Sequence, residues 1–141
     1  AKEGFKKILS DRLGELTFYI ILAKYLDDTL AKTIAAGWGN DYCYLYESKE
    51  QKAILIMDTI WDSTSDAEEF FKGIKALCDK KYSQLNWQTN KDFFIGENAN
   101  NLIYISRKSN SVAVIESEIK DYNIIKKILE TLSLYYKDNQ N

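Results

Sequence analysis

AAGWGNDYCYLYESKEQKAILIMDTIWDSTSDAEEFF, running from Ala35 to Phe71, is the stretch from which the fold is read. It reads as a helix end, a tight turn, two paired strands and the capped start of another helix. Gly37 closes the first helix, in the left-handed conformation that glycine tolerates at a helix C-terminus. Trp38 to Asp41 leads into the sheet, and Tyr42 to Glu47 alternates as a strand does. Tyr42, Tyr44 and Tyr46 fall on one face, Cys43 and Leu45 on the other. Ser48 to Gln51 is a polar turn, so the next strand folds back as a hairpin. Ala53 to Trp61 is apolar except for Asp58 and Thr59, the mark of a central strand covered on both faces. Ser63 and Ser65 are alternative caps for the helix that follows. Ser65 has capping-box spacing to Glu68, and Asp66 complements the helix dipole. Ala67, Phe70, Phe71, Ile74, Leu77 and Cys78 then recur at helical spacing to about Lys81.

Upstream, residues 4–10 read as a short helix or a frayed terminus. A helix follows, capped by Ser10 or Asp11, with an apolar stripe of Leu13, Leu16, Tyr19 or Ile20, and Ala23. Because it is apolar on most sides, this helix is expected to be well covered; contact with a partner module, rather than only with its own sheet, is the alternative. Asp27, Asp28 and Thr29 cap a second short helix. Downstream, residues 82–90 read as a polar connection. Three antiparallel strands follow over 92–95, 102–107 and 111–116, separated by Asn-rich turns. A last helix spans Asp121 to Tyr136, with Ile125, Ile128, Leu129, Leu132 and Tyr135 or Tyr136 on its apolar face. Residues 137–141 read as a disordered tail. The order ααββαβββα, with strands joined by short turns, specifies a single α+β domain. Its antiparallel sheet has about five strands, with helices packed on it.

Composition excludes several chemistries. The 141 residues include no histidine, which removes the commonest general base and transition-metal ligand, and with them Ser-His-Asp and Cys-His catalysis. The net charge of −2 comes from interspersed acids and bases, which argues against nucleic acid as a partner. No apolar run is long enough for a transmembrane helix. The two cysteines, Cys43 and Cys78, read as small buried hydrophobes, with a disulfide as the alternative. The chain opens on Ala1 rather than methionine, which suggests a processed protein or an excised module of a larger, extracytoplasmic one.

The candidate binding or signature residues are Trp38, Asp41, Tyr44, Trp61, Asp62 and Asp66. Asp62 and Asp66 fall short of a calcium loop, because the required glycine and distal glutamate are missing, so capping and turn formation is the plainer reading. The alternating tyrosines, with Tyr104 on another strand, offer either an aromatic binding face or a sheet face lying under a helix. Trp38 and Trp61 sit at element junctions, where core plugs are commoner than ligand platforms. No catalytic, cofactor or metal residue is assigned.

Taken together, Leu13-Gly-Glu-Leu, Ala35-Ala-Gly-Trp-Gly-Asn-Asp-Tyr and Trp61-Asp-Ser-Thr-Ser-Asp-Ala-Glu-Glu-Phe resemble a module of uncharacterised bacterial and archaeal proteins. In those it follows a metallopeptidase-like region with a zinc-binding HExxH helix. Asn40 stands where that pattern has glycine, and Tyr42 where it has arginine. This chain carries no HExxH segment, so the resemblance implies an accessory, substrate-positioning or structural module, not a catalyst. The expectation is a non-catalytic binding or interaction domain whose partner is an upstream domain of the parent protein or a peptide. The alternatives are a small enzyme with a carboxylate-based site and a domain that self-associates.

Overall fold

A computed structural model describes residues 4–139, with side chains as far as residue 131. Its elements are β1 (Phe5–Asp11), α1 (Gly14–Tyr25), α2 (Asp28–Ala35), β2 (Trp38–Ser48), β3 (Ala53–Trp61), α3 (Thr64–Lys81), β4 (Asn86–Thr89), β5 (Phe93–Glu97), β6 (Leu102–Lys108), β7 (Ser111–Ser117) and α4 (Tyr122–Asn139). The class is α+β, and the sheet is open and antiparallel. It holds seven strands, in the order β1-β2-β3-β7-β6-β5-β4, rather than about five.

The two additional strands are the sheet's edges, and each lacks the usual pattern for a physical reason. β1 pairs with β2, but its register slips between Lys7 and Leu9. Such a bulge breaks the alternation by which strands are recognised. β4 is four residues, Trp87 and three polar ones, paired with β5 from Asn86–Glu97 to Thr89–Phe94. Nothing in its composition distinguishes it from a loop.

Two apolar cores lie on opposite faces of the sheet. On one face α1, α2 and α3 bring Phe18, Leu22, Ile34, Phe70, Ile74 and Leu77 against Cys43, Met57, Ile103, Ile105, Val112 and Val114. On the other, Ile125 and Ile128 of α4 cover Ile54, Ile56, Leu102 and Ile115. β3 feeds both cores, so the two-sided burial expected of its apolar run is realised. Full burial of a side chain of this size contributes about 1.5–3 kcal/mol, which fixes the register of the central strands.

α1 presents a different stripe from the one expected. Phe18, Leu22 and Leu26 are buried, whereas Leu16 and Ile20 are 70% and 57% exposed. A helix apolar on most sides gives periodicity no basis for choosing its inner face. Gly37 also differs from expectation, since the glycines with positive φ are Gly4 and Gly14. Gly37 is needed for close approach: a Cβ there would lie 2.6 Å from Cβ of Asp66. α4 continues through residues 137–139, which read as tail. Residues 140 and 141 and the side chains of Leu132, Tyr135 and Tyr136 lie outside the described residues.

Candidate functional site

The signature residues meet at one end of the sheet, where α2 ends, β2 begins, β3 ends and α3 begins. Asp41 is the hub and is 1% exposed. Its carboxylate accepts the backbone N–H groups of Leu13 at 2.8 Å and Gly14 at 2.9 Å, and the indole N–H of Trp38 at 3.1 Å. It therefore caps α1 from 27 residues downstream in the chain, in place of the Ser10 or Asp11 that local spacing suggested. Carboxylate at a helix N-terminus satisfies orphan donors and meets the positive end of the dipole.

Trp61 is 1% exposed. It stacks on Phe70 at 4.4 Å and meets Phe18 edge-on at 6.2 Å. Its indole N–H donates to the Thr59 hydroxyl, which donates in turn to the Val112 carbonyl. Trp38 pairs with Trp61 across the two strands. The backbone N–H of Asp62 donates to the Gly37 carbonyl at 2.8 Å, and its side chain is exposed. Ser63, not Ser65, caps α3: its hydroxyl oxygen accepts the Asp66 N–H and its O–H donates to the Asp66 carboxylate. These contacts are internal and hold helix and strand ends together.

Tyr44 lies elsewhere. It packs with Tyr46 and Tyr104 beside the second core, on the face that α4 covers. Tyr104 is three strands away, on β6. Asp58 projects from the same face, pairs across the strands with Tyr42 and Ala113, and is 7% exposed. Burial pushes its carboxyl up to about 7. Cys43 and Cys78 are free and buried, and burial pushes both thiols far above the ordinary thiol range. The two form no disulfide.

Two further features stand apart from the signature residues; the sequence pointed to the first only through the apolar α1 and did not single out the second. One is the outer surface of the N-terminal elements. Ile8 and Leu9 of β1, Leu16 and Ile20 of α1 and Leu30 of α2 are five of the six large apolar side chains exposed among the described residues. The other is a groove at the end of the sheet away from the signature joint. At its inner wall Glu116, 6% exposed, accepts from Nζ of Lys81 at 2.8 Å and from the hydroxyl of Tyr82. Burial opposes the charge on Lys81, but the neighbouring Glu116 carboxylate outweighs it and the ammonium is raised above its usual value. Burial and the same carboxylate raise Tyr82. Both shifts hold these groups protonated, as donors to Glu116. The available signal was Glu116 itself, which breaks the buried face of β7 after Val112 and Val114.

A family model described as a domain of unknown function, DUF8575, matches residues 4–123. The chain belongs to that family. The match takes in the signature joint, the N-terminal apolar surface and all of the groove's lining, and stops at the start of α4. No curated protein and no solved structure matches this DUF8575 domain. Among its described residues no cluster of three or more His, Cys, Asp or Glu could hold a metal ion. No helix among them is long and apolar enough to cross a membrane.

Proposed function

We propose that this domain is a non-catalytic interaction module that docks onto a neighbouring folded polypeptide through β1, α1 and α2. The observation that carries the reading is the concentration of exposed large apolar side chains in residues 8–30. Leu16 and Ile20 are one helical turn apart on α1, so they project together. Water contact with such side chains is unfavourable at roughly 25 cal/mol per Å² of apolar surface, and contiguous exposed apolar surface marks contact sites. Three of the signature residues support the same reading, because the Asp41 carboxylate and the Trp38 and Trp61 indoles are spent on internal contacts. The partner we propose is an upstream, metallopeptidase-like domain of the parent protein, for which this module supplies positioning. The choice of partner rests on the sequence resemblance.

The test is cross-linking mass spectrometry on the parent protein at native expression, with Leu16→Glu and Ile20→Glu combined. Cross-links from Lys24 and Lys32 to another domain should vanish in the variant while its thermal midpoint holds. Retention of those cross-links would refute the docking face. A carboxylate-based enzyme is the second reading, favoured by one observation: Asp58 is nearly buried with its carboxyl near 7, the range of a general acid or base. Turnover lost on Asp58→Asn in a folded chain would establish it.

A further inference from the structure

The groove at the end of the sheet away from the signature joint has a lining unlike the N-terminal surface. We infer that it binds a neutral, hydroxyl-rich ligand of the oligosaccharide class. The groove is a cleft of about 720 Å³ between the end of α3, β4 and the β5–β6 turn. It continues into a smaller cleft of about 280 Å³ at the start of β3 and the end of β7. The two share Lys81, Tyr82 and Asn101. From β3 to β4 the sheet order crosses β7, β6 and β5. Four strand spacings of about 4.8 Å make that roughly 19 Å, which suits a chain of linked rings better than a single ring.

The charge pattern decides the ligand's charge. Both lysines on the main cleft are paired, Lys81 with Glu116 at 2.8 Å and Lys120 with Glu97 at 2.9 Å. A phosphate or carboxylate would have to displace an acid from its cation. The hydrogen-bonding pattern decides the rest. Gln84, Asn86, Gln88 and Asn100 line the cleft, are exposed, and use their side-chain amides in no hydrogen bond among the described residues. Each carboxamide donates and accepts side by side, as a sugar hydroxyl does. Asn98 and Asn101 form the turn beneath them, with Asn98 accepting the backbone N–H groups of Asn100 and Asn101. Gln84 is held at a φ of 50°, outside the range its side chain prefers. Such strain persists where surrounding structure over-determines it, and it concentrates at binding sites.

The main cleft also argues against an extended peptide, because apart from Tyr82, Trp87 and Ala99 its lining is polar or charged. Trp87 presents only its rim: its six-membered ring lies over Gly96, and Nζ of Lys75 sits 4.7 Å from its centroid. The lining of the two clefts includes none of the exposed apolar residues of β1, α1 and α2, so substitutions can separate this site from the docking surface.

The experiment is a titration of the ¹⁵N-labelled chain, followed by its side-chain amide signals. Maltotetraose, cellotetraose and chitotetraose are added separately at millimolar concentration, and a serine- and asparagine-rich peptide serves as the contrasting probe. One of the saccharides should shift the NH₂ signals of Gln84, Asn86, Gln88 and Asn100 saturably. Asn86→Ala combined with Gln88→Ala should weaken that binding at least tenfold with the backbone spectrum retained. Leu16→Glu should leave it unchanged. Silence from all three saccharides, shifts confined to other surfaces, or a groove response to the peptide alone would overturn the proposal.

Discussion

Replacing Asp41 separates a structural signature from a binding one. Asp41→Ala removes the acceptor for the N–H groups of Leu13 and Gly14 and for the Trp38 indole. A buried donor left without a partner costs about 1–3 kcal/mol. Leu13, Gly14 and Trp38 are each only partly buried, so water reaches some of them and the lower figure applies to each. The loss for the three is then roughly 3 kcal/mol, a large fraction of the 5–15 kcal/mol of a typical domain. The melting midpoint should fall by about 10 °C. Asp41→Asn keeps one acceptor oxygen but turns an NH₂ toward a donor, so it should fall between the parent and the alanine variant. Hydrogen exchange localises the effect: amides in the first turn of α1 should exchange faster, while those in the middle of α3 keep their order. The reasoning fails if Asp41→Ala melts within a degree of the parent. The conspicuous aspartate of the signature would then be free to serve a ligand.

Asp58→Asn should act in the opposite direction and depend on pH. The folded carboxyl lies at about 7, above the roughly 3.9 of an unfolded aspartate. Between those values the folded state holds more protons, so stability falls as pH rises through the window, by about 4 kcal/mol at most. The amide carries no charge but needs hydrogen bonds of its own, so urea denaturation should show the variant stabler by about 1–3 kcal/mol at pH 8. The gain should vanish near pH 4, and a difference independent of pH would show that burial of the charge is not the cause. Gly37→Ala drives a Cβ to 2.6 Å from Cβ of Asp66 and should cost about 1–3 kcal/mol by calorimetry; an unchanged melt would mean the α2–α3 joint is looser than its geometry. Cys43 and Cys78 should resist a thiol reagent at pH 8 in the folded chain and react fully in denaturant. Fast labelling of either one under native conditions would contradict their burial.

Much of this fold was legible because local and tertiary signals agree over its centre. The strand from Ala53 to Trp61 and the helix ending at Lys81 fall where the sequence placed them, since an apolar run and a strong 3.6 repeat each admit one interpretation. Legibility failed at the margins, where tertiary contacts decide. β1 is a strand because β2 offers it an edge. The inner face of α1 is chosen by Trp61 and Phe70, which meet Phe18, and not by its own pattern. The cap of α1 is Asp41, far along the chain and beyond any local motif. The groove was invisible for a related reason. Its carboxamides are ordinary loop residues in sequence, and only the sheet order brings the start of β4, the β5–β6 turn and the end of β7 to the same end of the sheet.

The division of labour within the chain follows from that order. A seven-stranded antiparallel sheet has two edges and two ends, and an edge strand left bare invites pairing with another chain. The edge at β4 is short and polar, and the groove beside it is lined with charge pairs and amides, a surface at ease in water. The edge at β1 carries Lys6 and Lys7 and a bulge, which discourage indiscriminate strand pairing. It nonetheless exposes Ile8 and Leu9, and the helix that follows it in the chain exposes Leu16 and Ile20. Protection of the backbone edge combined with exposure of apolar side chains fits docking by side-chain packing against a folded neighbour better than addition of a strand. Substitution of Lys6 and Lys7 by threonine should therefore promote concentration-dependent association by light scattering without strengthening attachment to the parent. If attachment strengthens instead, the contact is made through the strand edge and the packing argument is wrong.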